Sequence, residues 1–200
     1  MAVIRAKEKR ERALGAKLFL KGDRCNSPKC ATVRRPERPG VHKDRRRQLS
    51  EYGRQLQEKQ RIQVYFGLTN GQTEKLFVGS PVEVANALES RLDHVVFLLG
   101  LAKSPRIGRQ LVSHGHILVN GKRVTAASYR VKTGDTVGIR PESQGSAMFE
   151  GLSERLKEYT CPGWLTLHVE KREGKCVKRP SEDDHTFPFD ISLASQFYAR

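Results

Sequence analysis

LESRLDHVVFLLGLAKSPRIGRQLVSHGHILVNGKRV, residues 88–124, decides the fold. Leu88, Leu92, Val95 and Leu99 recur every three or four residues, in a helical pattern that Ser80, Pro81 and Glu83 open as N-cap, first position and capping-box partner. Gly100 ends it. Ser104 and Pro105 start a second helix, with Ile107, Leu111 and Val112 apolar, Arg106, Arg109 and Gln110 polar, and Gly115 as the stop. Ile117, Leu118 and Val119 lead into Asn120 and Gly121, the strongest short-range hairpin signal, and Lys122, Arg123 and Val124 return. After a turn at Gly134 and Asp135 comes a strand over Thr136–Ile139. Two helices feed a small antiparallel sheet.

Outward from this core, Ser50 reads as an N-cap, Tyr52, Leu56, Ile62 and Phe66 follow at helical spacing, and Gly67 closes the helix. Its other face offers Arg54, Lys59 and Arg61. A short helix is expected over residues 69–77, another through Phe149, Leu152, Leu156 and Tyr159, strands at Trp164–Val169 and Cys176–Arg179, and a closing helix over Ser192–Tyr198. The expected class is α+β: a helical domain over 46–89 completed by 183–200, a domain over 90–182 with two helices on an antiparallel sheet at its core (90–140), and a basic arm over 1–45. Residues 23–47 hold three Pro, two Cys and nine Lys and Arg with almost no large apolar side chains, so an extended arm is expected there.

The 200 residues carry a formal charge of +15, a pI near 10.0 and a mean hydropathy of −0.59. The charge is zoned: residues 1–65 are net +12 and 90–140 net +7, whereas 66–89 and 141–200 are each −2. Clustered basicity points to a polyanion rather than to solubility alone. No apolar stretch reaches the roughly 20 residues of a membrane helix, and the N-terminus lacks a secretory apolar region, so no membrane partner and a cytosolic address are expected. Along 90–140, Arg91, Lys103, Arg106, Arg109, Gln110, Lys122 and Arg123, with His114, His116 and Asn120 near the helix end and turn, can form one cationic face. Such a face suits the phosphates and riboses of folded RNA better than a deep groove.

No nucleophile with a base, phosphate loop or dinucleotide fingerprint stands out, so catalysis is not expected. Glu89 and Asp93, four residues apart, read as solvent-facing helix charges.

The 88–124 string resembles the RNA-binding module of the S-four family of small-subunit ribosomal proteins. So do LFLKGDRCNSPKC, RPGVHKDRRRQLSEYGRQLQEKQRIQVYFG, PGWLTLHVE and the terminal FYAR resemble other stretches of that family, so that nearly the whole chain is covered. The resemblance implies a structural constituent of the small subunit that binds its RNA as a primary binder, nucleates assembly of the subunit body and contributes to accuracy where messenger RNA enters. Its implied partners are that RNA, neighbouring small-subunit proteins near the decoding region, and messenger RNA; it implies a ribosome-bound protein of a bacterial cytoplasm or an organelle. RNA contacts are expected from Arg34, Arg35, Arg45, Arg46, Arg47, Tyr52, Arg54, Lys59 and Arg61 besides the residues of 90–140. Leu98 and Pro105 stand where the family usually has basic residues, and His94 where it has Asn, which shifts the burden to Lys103, Arg106, Arg109 and Arg123. Two rivals are an RNA-modifying enzyme carrying the module as an appendage and an RNA chaperone of stalled subunits; the match from arm to tail argues against both.

Cys25 and Cys30 are similar to the second half of a four-Cys zinc site found in some members, with Glu8 and Glu11 about where the first pair would lie. Two thiolates do not close a tetrahedral site. No cofactor is therefore expected, with zinc at Cys25 and Cys30 the minor reading.

Overall fold

A computed structural model describes residues 7–41, 48–181, 184–185 and 187–199. The chain divides into two units, 1–85 with 186–200, and 86–185.

In the first unit the helices are α1 (Lys7–Leu14), α2 (Asp23–Asn26), α3 (Ala31–Arg34), α4 (Glu51–Phe66), α5 (Asn70–Leu76), the start of α6 (Pro81–Glu89) and α10 (Ile191–Tyr198). The caps expected for α4 are there: Ser50 accepts from the Gly53 amide and Gly67 is left-handed at φ 66°. The α6 capping box also forms, with Glu83 accepting from the Ser80 amide at 3.0 Å and Ser80 Oγ from the Glu83 amide at 3.3 Å. Helix α10 packs along α4. Asp190 caps it, accepting from the Leu193 amide at 3.0 Å, while the Asp190 amide donates to Glu58 at 3.1 Å. Beside them Tyr65, Phe66, Phe187 and Phe189 form an aromatic cluster with centroids 4.9–6.1 Å apart.

The extended arm expected over 23–47 is not what the described part forms. Residues 23–41 carry α2 and α3, and Cys25 and Cys30 are buried with Leu14, Leu18 and Leu20. Apolar surface supplied from residues 14–20 gives this segment a core that its own composition lacks. Gln57 and Arg61 of α4 hold it by donating to the Leu14 carbonyl at 2.6 and 2.8–3.1 Å.

The second unit holds α7 (Leu92–Leu98), α8 (Pro105–His114), α9 (Leu152–Lys157) and five strands, β1 (Ile117–Val119), β2 (Lys122–Arg123), β3 (Thr136–Ile139), β4 (Leu165–His168) and β5 (Glu173–Cys176). All pairs are antiparallel, in the order β2-β1-β3-β5-β4. Helices α7 and α8 pack together, and Leu92, Val95, Val96, Leu99, Leu111 and Val112 share a core with Ile117, Val137, Ile139 and Trp164. Two elements differ from expectation. The long helix from Ser80 to Leu99 breaks between Glu89 and Leu92, because the Leu92 and Asp93 amides donate to Tyr129 and Ala127 and Val131 donates to Ser90, a bridge no helix accommodates. The last strand ends, rather than begins, at Cys176, because pairing with both β3 and β4 sets Gly174 opposite Val137 and Leu167.

Candidate nucleic-acid interface

Helix α8 carries the polar stripe. Ser104 Oγ accepts from the Ile107 amide at 3.3 Å, Pro105 occupies the first turn, and left-handed Gly115 ends the helix at φ 77°. Arg106, Gln110 and His114, spaced by four, therefore share one side. Gln110 and His114 are exposed and Arg106 half-buried. The stripe continues into the hairpin. Arg123 lies over Gly115, where a Cβ would collide with its guanidinium, and that guanidinium donates to the His114 carbonyl at 3.5 Å. Cationic Arg123 thus sits at the helix C-terminus, where a positive charge is favoured. Lys122 and Lys103 are exposed nearby in sequence, on β2 and in the α7–α8 loop.

Asn120 serves the turn. At φ 50° it occupies the left-handed region, its Nδ2 donates to Asp135 at 2.8 Å, and its Oδ1 accepts from the Thr136 amide at 2.9 Å. His116 is half-buried, with Nδ1 2.9 Å from Ser143 Oγ and its ring edge-on to Phe149. Arg109 reaches back to Asp93 at 3.7 Å.

Two expected cations are not presented to a ligand. Arg91 is 5% exposed and forms a two-pronged pair with Asp93, Nε–Oδ1 3.0 Å and Nη2–Oδ2 2.8 Å. Arg61 pairs with Glu58 and donates to the Leu14 carbonyl. Both turn inward because a carboxylate two or three residues away satisfies them there, joined for Arg61 by the Leu14 carbonyl. Asp93 and Glu89 are likewise buried, not solvent-facing; Glu89 lies 3.2 Å from His94 Nε2 and 3.9 Å from His185 Nδ1. Leu98, one of the departures from the resemblance, packs on the core, and its carbonyl accepts from the Tyr159 hydroxyl at 3.0 Å.

In the first unit Arg34, Arg35 and Arg54 are exposed. Tyr52 is half exposed and tilts over Phe197 at 5.6 Å, and Lys59 Nζ lies 4.3 Å above the Phe197 ring and 5.1 Å from Tyr198. Arg45, Arg46 and Arg47 lie outside the described residues. A cavity of about 1000 Å³ lined by Lys7, Lys9, Arg12, Lys21, Arg35 and Arg38, opposed among the described lining residues by Glu8 and Glu37, was not expected from the sequence beyond Arg35. Arg12 shapes it by donating to the Glu37 carbonyl at 2.9 and 3.1 Å, which folds 35–40 onto α1. The net charge of residues 1–65 signalled cations here; the concavity required that fold-back.

The zinc donors do not fit a metal. Glu8 accepts from Arg24 at 2.8 Å and lies 3.7 Å from Lys21, and Glu11 Oε1 accepts from two backbone amides. Burial is the main cause that pushes the Cys25 thiol up from its ordinary value. Burial opposes ionisation of Cys30 too, but hydrogen bonds from Thr32 and Val33 outweigh it and hold that thiol below its ordinary value. Among the described residues no group of three His, Cys, Asp or Glu is arranged to hold a metal ion, and no helix is long and apolar enough to cross a membrane.

The S4 domain matches residues 90–137, the segment that holds the α8 stripe and the Arg123 hairpin, and the ribosomal protein S4/S9 N-terminal domain matches residues 3–86. Small ribosomal subunit protein uS4A of Alkaliphilus oremlandii and uS4 of Halothermothrix orenii are each 42% identical over 193 residues, covering 93% of this chain and of each relative. The uS4 protein of Thermus thermophilus is 41% identical over 194 residues, with 93% of both chains covered. With both units matched and the identity sustained almost from end to end, the chain belongs to the uS4 family of ribosomal proteins, structural rather than catalytic.

Proposed function

We propose that the protein is a structural constituent of the small ribosomal subunit that binds its RNA directly, nucleates assembly of the subunit body as a primary binder, and contributes to accuracy of decoding near the point where messenger RNA enters. The observation that carries the RNA contact is the continuity of Arg106, Gln110 and His114 with Arg123 at the α8 C-terminus. A rigid helix and a pinned hairpin present these side chains without a deep groove, the geometry that suits phosphate and ribose recognition. Lys103 and Lys122 extend this surface, and the cavity cations, Arg34 and Arg54 supply a second set of backbone contacts. Neighbouring small-subunit proteins and messenger RNA complete the proposed partners, and the protein is ribosome-bound.

Sedimentation and filter binding test this. The protein stays stoichiometric on salt-washed small subunits; an RNA-modifying enzyme or a chaperone washes off. Exchanging Arg106 and Lys122 for Ala lowers affinity for small-subunit RNA and flattens the salt slope by about 0.9 for each phosphate no longer neutralised, close to two in all. An unchanged slope removes both residues from the interface.

A further inference from the structure

Residues 7–30 are tied together by carboxylates at the place where the family resemblance puts half a zinc site. Glu11, on α1, is fully buried. Its Oε1 accepts from the Leu18 and Leu20 amides, each at 3.1 Å, and its Oε2 is buried with no hydrogen-bond partner among the described residues. Between those two amides Phe19 stands at φ 52°, a left-handed conformation that turns the flanking N–H groups to one side and makes a small anion nest. The leucines that carry the amides are themselves fully buried. One turn earlier, Glu8 takes Arg24 at 2.8 Å and Lys21 at 3.7 Å, linking α1 to α2. The same loop that a tetrahedral ion would gather is gathered by backbone amides and two cations, and those cations oppose a dication at Glu8.

We infer that Glu11, seated in the Leu18–Leu20 amide nest and backed by the Glu8–Arg24 pair, closes the N-terminal fold in place of a metal, so that this chain folds without zinc. Cys25 and Cys30 then act as small buried thiols that fill the core, Cys30 also hydrogen-bonded to Thr32. This closure is independent of the RNA interface, since it concerns how the first unit holds together.

The test uses the full-length protein. Elemental analysis by mass spectrometry finds zinc well below one equivalent, and the melting temperature is the same with and without a strong chelator. Glu11→Ala, which leaves two buried amides without an acceptor, melts lower by about 4 °C or more. Glu11→Gln keeps the accepting oxygen and melts close to the parent, which decides the matter even where the alanine variant is recovered unfolded. Stoichiometric zinc whose removal lowers the melt overturns the inference. So does a Glu11→Ala protein that melts like the parent, or a Glu11→Gln protein as damaged as the alanine one.

Discussion

Arg91 and Asp93 show how a single residue's role escapes sequence reading. Both sit at a helix start in a strongly basic zone, where an exposed cation is the natural reading. The break between α6 and α7 instead folds them inward, with Arg109 as a third member at 3.7 Å. Breaking a buried pair leaves an uncompensated charge, so Asp93→Ala is expected to cost roughly 3–5 kcal/mol in chemical denaturation; a cost below about 1 kcal/mol would show the pair to be solvated. Tyr159 supplies a pH test. Burial is the main cause that pushes its phenol above the ordinary tyrosine value. A group whose folded pKa is raised holds its proton more tightly when folded, so stability is level below the unfolded value and falls as pH rises above about 10. Tyr159→Phe, which also removes the hydrogen bond to the Leu98 carbonyl, is expected to flatten that alkaline fall when denaturation midpoints are followed across it. An unaltered alkaline slope would assign the fall to another group.

At the scale of elements, glycine sets how closely α7 and its neighbours approach. A Cβ on Gly108 of α8 would collide with the Asp93 carbonyl oxygen, and one on Gly174 of β5 would collide with a Leu99 methyl. Backbone oxygen cannot yield as a flexible side chain does, so Gly108→Ala is expected to destabilise by about 1–3 kcal/mol. Gly145→Ala, with nothing within 4 Å, is expected to stay within about 0.5 kcal/mol. Equal thermal shifts for the two would refute the packing argument. The sequence announced both α8 and its stop, because Ser104, Pro105 and Gly115 act locally. It did not announce that Gly108 touches a neighbour, because that neighbour lies on another helix.

For the molecule as a whole, the sharpest departure concerns the N-terminal segment. Leu14, Leu18, Leu20, Cys25 and Cys30 are buried, and Gln57 and Arg61 bind the Leu14 carbonyl. Deleting residues 1–41 is therefore expected to lower or abolish cooperative melting of the first unit, while a fragment spanning residues 86–185 still unfolds cooperatively; calorimetry on both proteins checks it. A deletion that melts unchanged would restore the arm as a mere appendage. Sequence alone determined the caps, the helix periodicities, the Asn120–Gly121 hairpin and the zoning of charge, since each depends on residues within a turn or two of one another. Tertiary structure alone decided which cations face outward, where the long helix breaks, that residues 7–40 enclose a cationic cavity, and that a buried glutamate ties the first unit. Those outcomes depend on which distant backbone groups and carboxylates come within hydrogen-bonding reach, and chain order does not encode that distance.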